Sequence, residues 1–219
     1  MRPVMAVSVL VTSESELSPS REAEWLSDLP PTRRAQIGRW TSRRDRHRSL
    51  LASRLLLEQL RRLGHPRSAL ATLRYEQRGR PTLDLPLAFS LSHCDGRIAA
   101  AVSTEGPVGI DVEKIEPLQA GDFALYLNAA ERLWAGRSAR RFCAIWTRKE
   151  AVAKAAGSAG LPSLPSVDTS NADDVATFAG RRWRTTPLAL GAGHVGHVAS
   201  ADRHDLRLTV EQLPAETLL

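Results

Sequence analysis

Cysteine, lysine and long apolar runs are all scarce in this chain of 219 residues. Its two cysteines, Cys94 and Cys143, are too few for a disulfide framework and favour free thiols in a reducing compartment. The apolar stretch at residues 1–11 is too short to span a bilayer and is followed by no small-residue cleavage site, so we interpret it as a first strand. These absences exclude a disulfide-rich secreted domain and predict a cytoplasmic protein with no membrane partner.

Acidic residues are fewer than basic ones, 24 against 30, which gives a net charge of +6. Such a charge predicts an anionic partner, whether nucleic acid, a phosphorylated cofactor or an acidic protein. Only three of the basic residues are lysines: Lys114, Lys149 and Lys154. Because lysine is a compact charge that can titrate whereas arginine is always charged, we expect a functional role above all for Lys154.

Helical periodicity marks three regions of the chain. Residues 12–40 carry apolar residues at helical spacing, and Pro30 and Pro31 divide them into short helices. Leucines recur near a period of 3.6 across residues 44–64 and predict the longest helix. Residues 130–157 predict a further helical region, and the Ser- and Pro-rich residues 158–174 predict a loop.

Alternating apolar residues predict two β-hairpins that end alike. The first joins residues 97–103 to 108–115, and the second spans residues 193–213; both end in V-E-[KQ]-[IL]. Aligning them places Asp111 opposite Thr209. We therefore predict an α+β fold of two similar halves, residues 1–115 and 116–219, with a single acidic site at their junction.

Asp111 and Glu113 lie two residues apart on a predicted strand, so their carboxylates face the same side. At an effective dielectric near 20 two such charges 4 Å apart repel by about 4 kcal/mol, which Mg²⁺ would relieve. The alternative is a half-exposed strand whose acids meet solvent or arginine, and spacing alone favours that alternative.

Glu150 and Lys154 are four residues apart and share one helix face. They form either a surface ion pair worth a few tenths of a kcal/mol, or a third metal ligand or base with a phosphate contact beside it. Spacing does not decide between these readings.

Two other patterns imitate known sites. His194 and His197 form an H-x-x-H pair that could bind zinc together with His93 and Cys94, but the pair lies on a predicted strand without a C-x-x-C motif, so no zinc is expected. The residues GAGHVG at 191–196 match a dinucleotide fingerprint literally, yet a strand rather than a helix follows them.

Five segments, taken in order, are together more specific than any of these patterns. DRHRSLL, GRP, FSLSH, GIDVEKI and WTRKEAVAKAAG span residues 45–157 and resemble the Sfp-type 4′-phosphopantetheinyl transferases. The resemblance implies a pseudo-dimer of two α+β halves, each with a small antiparallel sheet packed on helices. It also implies Mg²⁺-dependent transfer of 4′-phosphopantetheine from coenzyme A to a serine of an acyl or peptidyl carrier protein. The resemblance further implies release of 3′,5′-ADP, and we expect a role in polyketide or nonribosomal peptide biosynthesis.

Residue roles follow from the same resemblance. Asp111, Glu113 and Glu150 look like Mg²⁺ ligands, and either Glu150 or a metal-held water would be the base. Lys154 looks like a pyrophosphate contact that also stabilises the leaving group. The remaining coenzyme contacts are expected from Arg48, Ser49, Arg80, Pro81, Ser92 and His93. Arg33 matches a family lysine loosely, and GSAG at residues 157–160 replaces the usual G-x-G.

The expected partners are acidic carrier domains and coenzyme A, and two halves in one chain favour a monomer. The alternative from another class is a nucleic-acid-binding protein, suggested by the net charge of +6 and the RRDRHR segment. No recognisable reading helix, zinc finger or aromatic RNA-binding strand supports it, so no nucleic acid partner is expected.

Overall fold

The computed structural model describes residues 6–76, 79–117, 124–170, 174–202 and 207–218. The fold is α+β, as predicted. Its α-helices are α1 Pro19–Ser27, α2 Pro31–Ile37, α3 Arg43–Arg62, α4 Ala129–Ala135 and α5 Ala139–Ala155. Its strands are β1 Ala6–Ser13, β2 Arg74–Tyr75, β3 Pro81–Thr82, β4 Ala88–Cys94, β5 Arg97–Ser103, β6 Val108–Lys114, β7 Val175–Phe178, β8 Arg181–Pro187, β9 His194–Ala201 and β10 Arg207–Leu213. None of the described helices is long and apolar enough to cross a bilayer.

The helices form where the apolar periodicity and the capping residues predict them. Ser18 and Ser42 cap α1 and α3, each accepting a backbone N–H three residues later. The leucines of α3 are buried against the first sheet, and Gly64 ends this region with a φ of +81°. Within the predicted loop at 158–174 the structure has a 3₁₀ helix, Leu161–Ser166, and Lys149 donates to the Leu164 carbonyl of this segment.

Eight of the strands form two four-stranded sheets, in the orders β10-β1-β5-β4 and β6-β9-β8-β7, and β2 pairs with β3. Both predicted hairpins are therefore wrong. β5 pairs with β1 and β4, whereas β6 pairs with β9; in the same way β9 stays in the second sheet and β10 runs parallel to β1. Each sheet thus gains one strand from the other part of the chain. The division at residue 115 into two halves stays a prediction.

The hairpins do not form because apolar faces of the two sheets pack on each other. Val9 of β1 and Ala101 of β5 share one buried cluster with Ile110 of β6 and Val198 of β9. A chain that returned from β5 directly along β6 would leave these faces without partners, and the burial of apolar area outweighs the local preference for a hairpin. Gly106, with a φ of +141°, lies in the turn that carries the chain from one sheet to the other.

His197 on β9 is buried, and its Nδ1 lies 2.7 Å from Thr147 Oγ1 on α5. Burial, together with the nearby charge of Arg148, lowers the pKa of His197 to about 3. An unfolded chain binds this proton near pH 6.5. Its contribution to stability is therefore complete above pH 6.5 and is lost as the pH falls from 6.5 towards 3, by about 1.4 kcal/mol per unit.

We expect His197→Asn, which keeps a polar group facing Thr147, to flatten the pH dependence of unfolding. Urea denaturation of wild type and variant at pH 7, 6, 5 and 4 measures it. The wild type should lose more free energy of unfolding than the variant at each step below pH 6.5. Parallel pH profiles would contradict this origin of acid sensitivity.

Candidate active site

Strand β4 of the first sheet lies next to strand β6 of the second, and serine side chains of β4 join the two. Ser90 Oγ accepts the Ile110 N–H at 3.1 Å, and Ser92 Oγ accepts the Val112 N–H at 3.3 Å. The two serine hydroxyls accept backbone N–H groups that would donate to carbonyl oxygens if a neighbouring strand were paired there. The N–H groups of Ile110 and Val112 are therefore bonded to side chains of β4 rather than to the backbone of a neighbouring strand.

Helix α5 packs closely on β6 at Gly109. A Cβ atom at this position would overlap the Ala151 carbonyl oxygen of α5. Residues two apart on a strand share a face, so Gly109, Asp111 and Glu113 all point towards α5. The missing side chain of Gly109 therefore allows the acids of β6 to reach the polar residues of α5.

Gly109→Ala should consequently push α5 away from β6. We expect a loss of about 1–3 kcal/mol in the free energy of unfolding, in the range of overpacked cores, and at least a tenfold loss of activity. Gly193→Ala is the matched control, since a Cβ there meets nothing within 4 Å. Chemical denaturation and a transfer assay measure both effects, and equal behaviour of the two variants would refute the argument.

Asp111 and Lys154 form the centre of the site. Lys154 Nζ lies 2.6 Å from Asp111 Oδ1 and 3.2 Å from the Ile110 carbonyl oxygen, and Ser92 Oγ donates to the same Oδ1 at 2.9 Å. Burial acts to lower the pKa of Lys154, but Asp111 and the neighbouring glutamates raise it above its usual value. The ammonium therefore keeps its proton at neutral pH.

Glu113 and Glu150 add negative charge around this pair. Burial, followed by the charge of Asp111, raises the pKa of Glu113 to about 7. Burial is also the largest cause of the raised pKa of Glu150, and Asp111 contributes again. Three carboxyl groups thus share one ammonium, Lys154, which leaves an excess of negative charge.

This donor set fits a hard divalent cation. Asp111 Oδ2 is buried and has no hydrogen-bond partner within the described residues, so one oxygen is open for a ligand. Carboxylate oxygens are the ligands that Mg²⁺ prefers. Across the described part of the chain, however, no three His, Cys, Asp or Glu side chains already surround one point as metal ligands. Side-chain rotation is needed to bring the three acids together.

A cavity of about 250 Å³ opens beside Lys154. Of the predicted coenzyme contacts, those lining it are Ser49, Arg80, Pro81, His93 and Lys154. His93 Nε2 lies 3.2 Å from Ser49 Oγ, and burial, with Arg33 and Arg48, lowers the pKa of His93 to about 4. His93 is therefore neutral at physiological pH and can contact a ligand by a hydrogen bond rather than by charge.

Two of the predicted coenzyme contacts, Arg48 and Ser92, do not line this cavity. Arg48 contacts three carboxylates, those of Glu14, Asp45 and Asp95, at 3.0, 2.9 and 2.7 Å. Ser92 is directed to Asp111 instead. The structure therefore brings Ser92 to the acidic centre and Arg48 into an ion-pair network, and a coenzyme contact by Arg48 stays a prediction.

Sequence reasoning missed much of the cavity wall. Trp40 and Tyr75 line it, and Trp40 contacts the His93 ring edge-on with the ring centroids 5.8 Å apart. Arg33, matched only loosely in sequence, also lines the cavity and donates to Ser53 Oγ at 3.0 Å. Arg33 lies on α2, Trp40 in the segment after it and Tyr75 on β2, so no spacing pattern joins them.

The Gly157–Gly160 segment follows α5 and reaches the same cavity. Gly157 adopts a φ of +73° next to Arg80, whose Nη1 would lie 3.2 Å from a Cβ placed on this glycine. Ala159 also lines the cavity. The stretched glycine segment thus borders the predicted coenzyme pocket.

The two imitating patterns have structural explanations. His194 Nε2 lies 2.8 Å from the Asp95 carbonyl oxygen, and His197 contacts Thr147, so both imidazoles already have protein partners. The GAGHVG residues lead into β9 rather than into a helix, which confirms that they do not form a dinucleotide fingerprint.

Comparisons with known proteins agree with this geometry. Residues 107–205, which include Asp111, Glu113, Glu150 and Lys154, match the model of the 4′-phosphopantetheinyl transferase superfamily. The chain is 35% identical over 151 residues to 4′-phosphopantetheinyl transferase AcpT of Escherichia coli (strain K12), covering 65% of this chain and 72% of that protein. It is 27% identical over 136 residues to 4′-phosphopantetheinyl transferase gsp of Aneurinibacillus migulanus, covering 60% and 57%.

Proposed function

Since this chain belongs to the 4′-phosphopantetheinyl transferases, enzymes that modify carrier proteins, we propose that its donor is coenzyme A and its metal Mg²⁺. The observation that carries the proposal is the open Oδ2 of Asp111, next to Lys154 and the cavity that Lys154 lines. The acceptor is a serine of an acyl or peptidyl carrier protein, and the second product is 3′,5′-ADP.

Asp111, Glu113 and Glu150 are the proposed holders of the metal ion. The raised pKa values of Glu113 and Glu150 show that their charges are poorly compensated, and a bound cation would relieve this; the unpartnered oxygen of Asp111 supports the same assignment. Bound among them, Mg²⁺ would supply positive charge to the pyrophosphate of the coenzyme.

Glu150 is the proposed general base. The serine oxygen of the carrier attacks the phosphorus nearer to pantetheine while its proton passes to the Glu150 carboxylate, and the bond from that phosphorus to the ADP oxygen breaks. The raised pKa of Glu150 brings its basicity nearer to the working pH, which favours this proton transfer.

Lys154 stabilises the departing ADP. Because Asp111 and the glutamates raise its pKa, Lys154 carries a fixed positive charge next to the place where negative charge grows. It therefore acts by electrostatic attraction and keeps its own proton.

The cavity beside Lys154 is the proposed coenzyme site. Arg33 and Arg80 supply cations for phosphate groups, and the rings of Trp40 and Tyr75 supply flat apolar surfaces for a nucleotide base. His93 and Ser49 offer neutral hydrogen-bonding groups, and Arg48 stays a predicted coenzyme contact.

The proposed setting is a cytoplasmic monomer that modifies acidic carrier domains of secondary metabolism. Its excess of arginine supports an acidic protein partner. The nucleic-acid-binding alternative is not favoured, since the family accounts for the basic charge.

The decisive experiment incubates the protein with coenzyme A, MgCl₂ and an apo carrier protein, and follows the intact mass of the carrier. A gain of one phosphopantetheine group on a serine, abolished by EDTA and restored by added Mg²⁺, is the expected result. An unmodified carrier after this treatment would overturn the proposed donor and acceptor, and modification that persists in EDTA would overturn the metal.

A further inference from the structure

Two large apolar side chains stand in solvent on α4, the helix that precedes α5. Leu133 is 85% exposed and Trp134 is 52% exposed. Single exposed apolar residues need no explanation, but Leu133 and Trp134 are adjacent on the short helix α4. This cluster is a candidate contact surface.

Basic residues surround the cluster. Residues 132–149 contain six basic residues and no acidic one. Lys149 is buried, but four of the arginines are exposed: Arg132, Arg137, Arg140 and Arg141. We call Leu133, Trp134, Arg137, Arg140 and Arg141 the α4–α5 face. Its charge favours a partner with acidic side chains.

A cleft of about 480 Å³ lies next to this face, between α5 and the turn that precedes β9. Trp134, Arg140 and Arg141 form one wall, and Leu190 lies on the other. Arg140 Nη2 donates to the Ala192 carbonyl at 2.5 Å, and the Arg141 guanidinium lies 5.7 Å from the Trp134 ring centre. These contacts hold both guanidinium groups at the mouth of an apolar cleft.

Helix α5 links this face to the proposed catalytic site. Arg140 and Glu150 are ten residues apart on α5, which corresponds to about 15 Å along the helix axis. A small helical domain is about 30 Å across, so one such domain can cover the face while its surface reaches Glu150.

We infer that the α4–α5 face binds an acidic amphipathic helix of the carrier protein during transfer. Apolar side chains of that helix contact Leu133 and Trp134, and its acidic side chains pair with the surrounding arginines. The inference rests on the proposed function, because it assigns a position to the proposed acceptor. The inference requires the carrier to contact the N-terminal part of α5 while the target serine of the carrier lies near Glu150, in the C-terminal part of α5.

Leu133→Glu tests this inference, because an 85% exposed side chain can be changed with little effect on folding. The variant removes an apolar contact and adds a charge that repels an acidic helix. With an apo acyl carrier protein and an apo peptidyl carrier domain as probes, we expect KM for the carrier to rise at least tenfold. We expect kcat to change less than twofold and Kd for coenzyme A to stay unchanged.

Leu63→Glu, at a 45% exposed leucine that ends α3, is the matched control and should keep the wild-type KM. Arg137→Glu is the second variant; it should raise the carrier KM at least threefold at low salt and weaken the salt dependence of kcat/KM. Circular dichroism checks the fold of each variant.

The outcomes separate the two proposals. Wild-type protein that modifies neither probe overturns the proposed function and this inference together. Wild-type activity with equal carrier KM values for Leu133→Glu and Leu63→Glu overturns the docking surface alone. Sedimentation that shows a dimer dissociated by Leu133→Glu would assign the face to a second copy of this chain, and would likewise overturn it.

Discussion

Glu150→Gln is expected to lower kcat by at least about 100-fold, the lower end of what a positioned acid or base contributes. The amide keeps the shape of the side chain but removes both its basicity and its charge. It therefore disables the proposed proton acceptor and weakens the proposed metal site at once. A carrier-modification assay at saturating coenzyme A and carrier concentrations measures the loss.

The fold should survive this change. Burial raises the pKa of Glu150, which means that the folded state disfavours its ionised form, so removal of the charge should not reduce stability near neutral pH. Glu116→Gln is the matched control: its carboxylate is 65% exposed and lies 3.3 Å from Lys114. The control should keep full activity, and a Glu150→Gln enzyme within threefold of wild type would disprove the assigned role.

The sequence predicts the elements of this fold better than their pairing. Leucine periodicity and serine caps are local, so α1–α3 form where they are expected. Strand pairing is decided by which apolar faces must meet, and the alternation within β5 and β6 carries no information about that choice. The same alternation therefore identified both strands correctly and joined them wrongly.

The candidate site shows the same division. The spacing of Asp111 and Glu113 predicts a shared face, and the spacing of Glu150 and Lys154 predicts another, but neither spacing shows that the two faces oppose each other. Gly109 decides this, since only a residue without a side chain lets α5 approach β6 closely. Trp40 and Tyr75 could not be found at all, because the cavity that gives them a role exists only after folding.

The three lysines illustrate how burial separates residues of one type. Lys154 faces the acids of the site, Lys114 lies at the surface beside Asp95, and Lys149 is fully buried. Lys149 Nζ lies 2.9 Å from Glu131 Oε2 and donates to the carbonyls of Leu164 and Val167. None of these contacts reaches the proposed catalytic groups.

Lys149→Met is accordingly expected to cost about 3–5 kcal/mol in the free energy of unfolding, because it leaves the carboxylate of Glu131 buried without its cation. Lys114→Met is the control and should cost less than about 1 kcal/mol, as solvent-exposed pairs do. Urea denaturation measures both. At a temperature where the variant is folded, Lys149→Met should keep a kcat within threefold of wild type.

A double-mutant cycle identifies the cause of the loss. Glu131→Gln keeps an oxygen that can accept the N–H and hydroxyl of Thr169, so it removes the charge while preserving the hydrogen bonds that Glu131 Oε1 now accepts. In that background Lys149→Met should reduce the free energy of unfolding by less than half as much as in wild type, because it no longer leaves a buried carboxylate without a cation. An equal cost in both backgrounds would mean that lost packing and the two carbonyl contacts, rather than charge pairing, give Lys149 its importance. Lys149 on α5 is hydrogen-bonded to the segment from Leu164 to Val167 and so holds that segment against the helix. Even that outcome would therefore give Lys149 a structural role and leave Lys154 as the lysine of the proposed catalytic site.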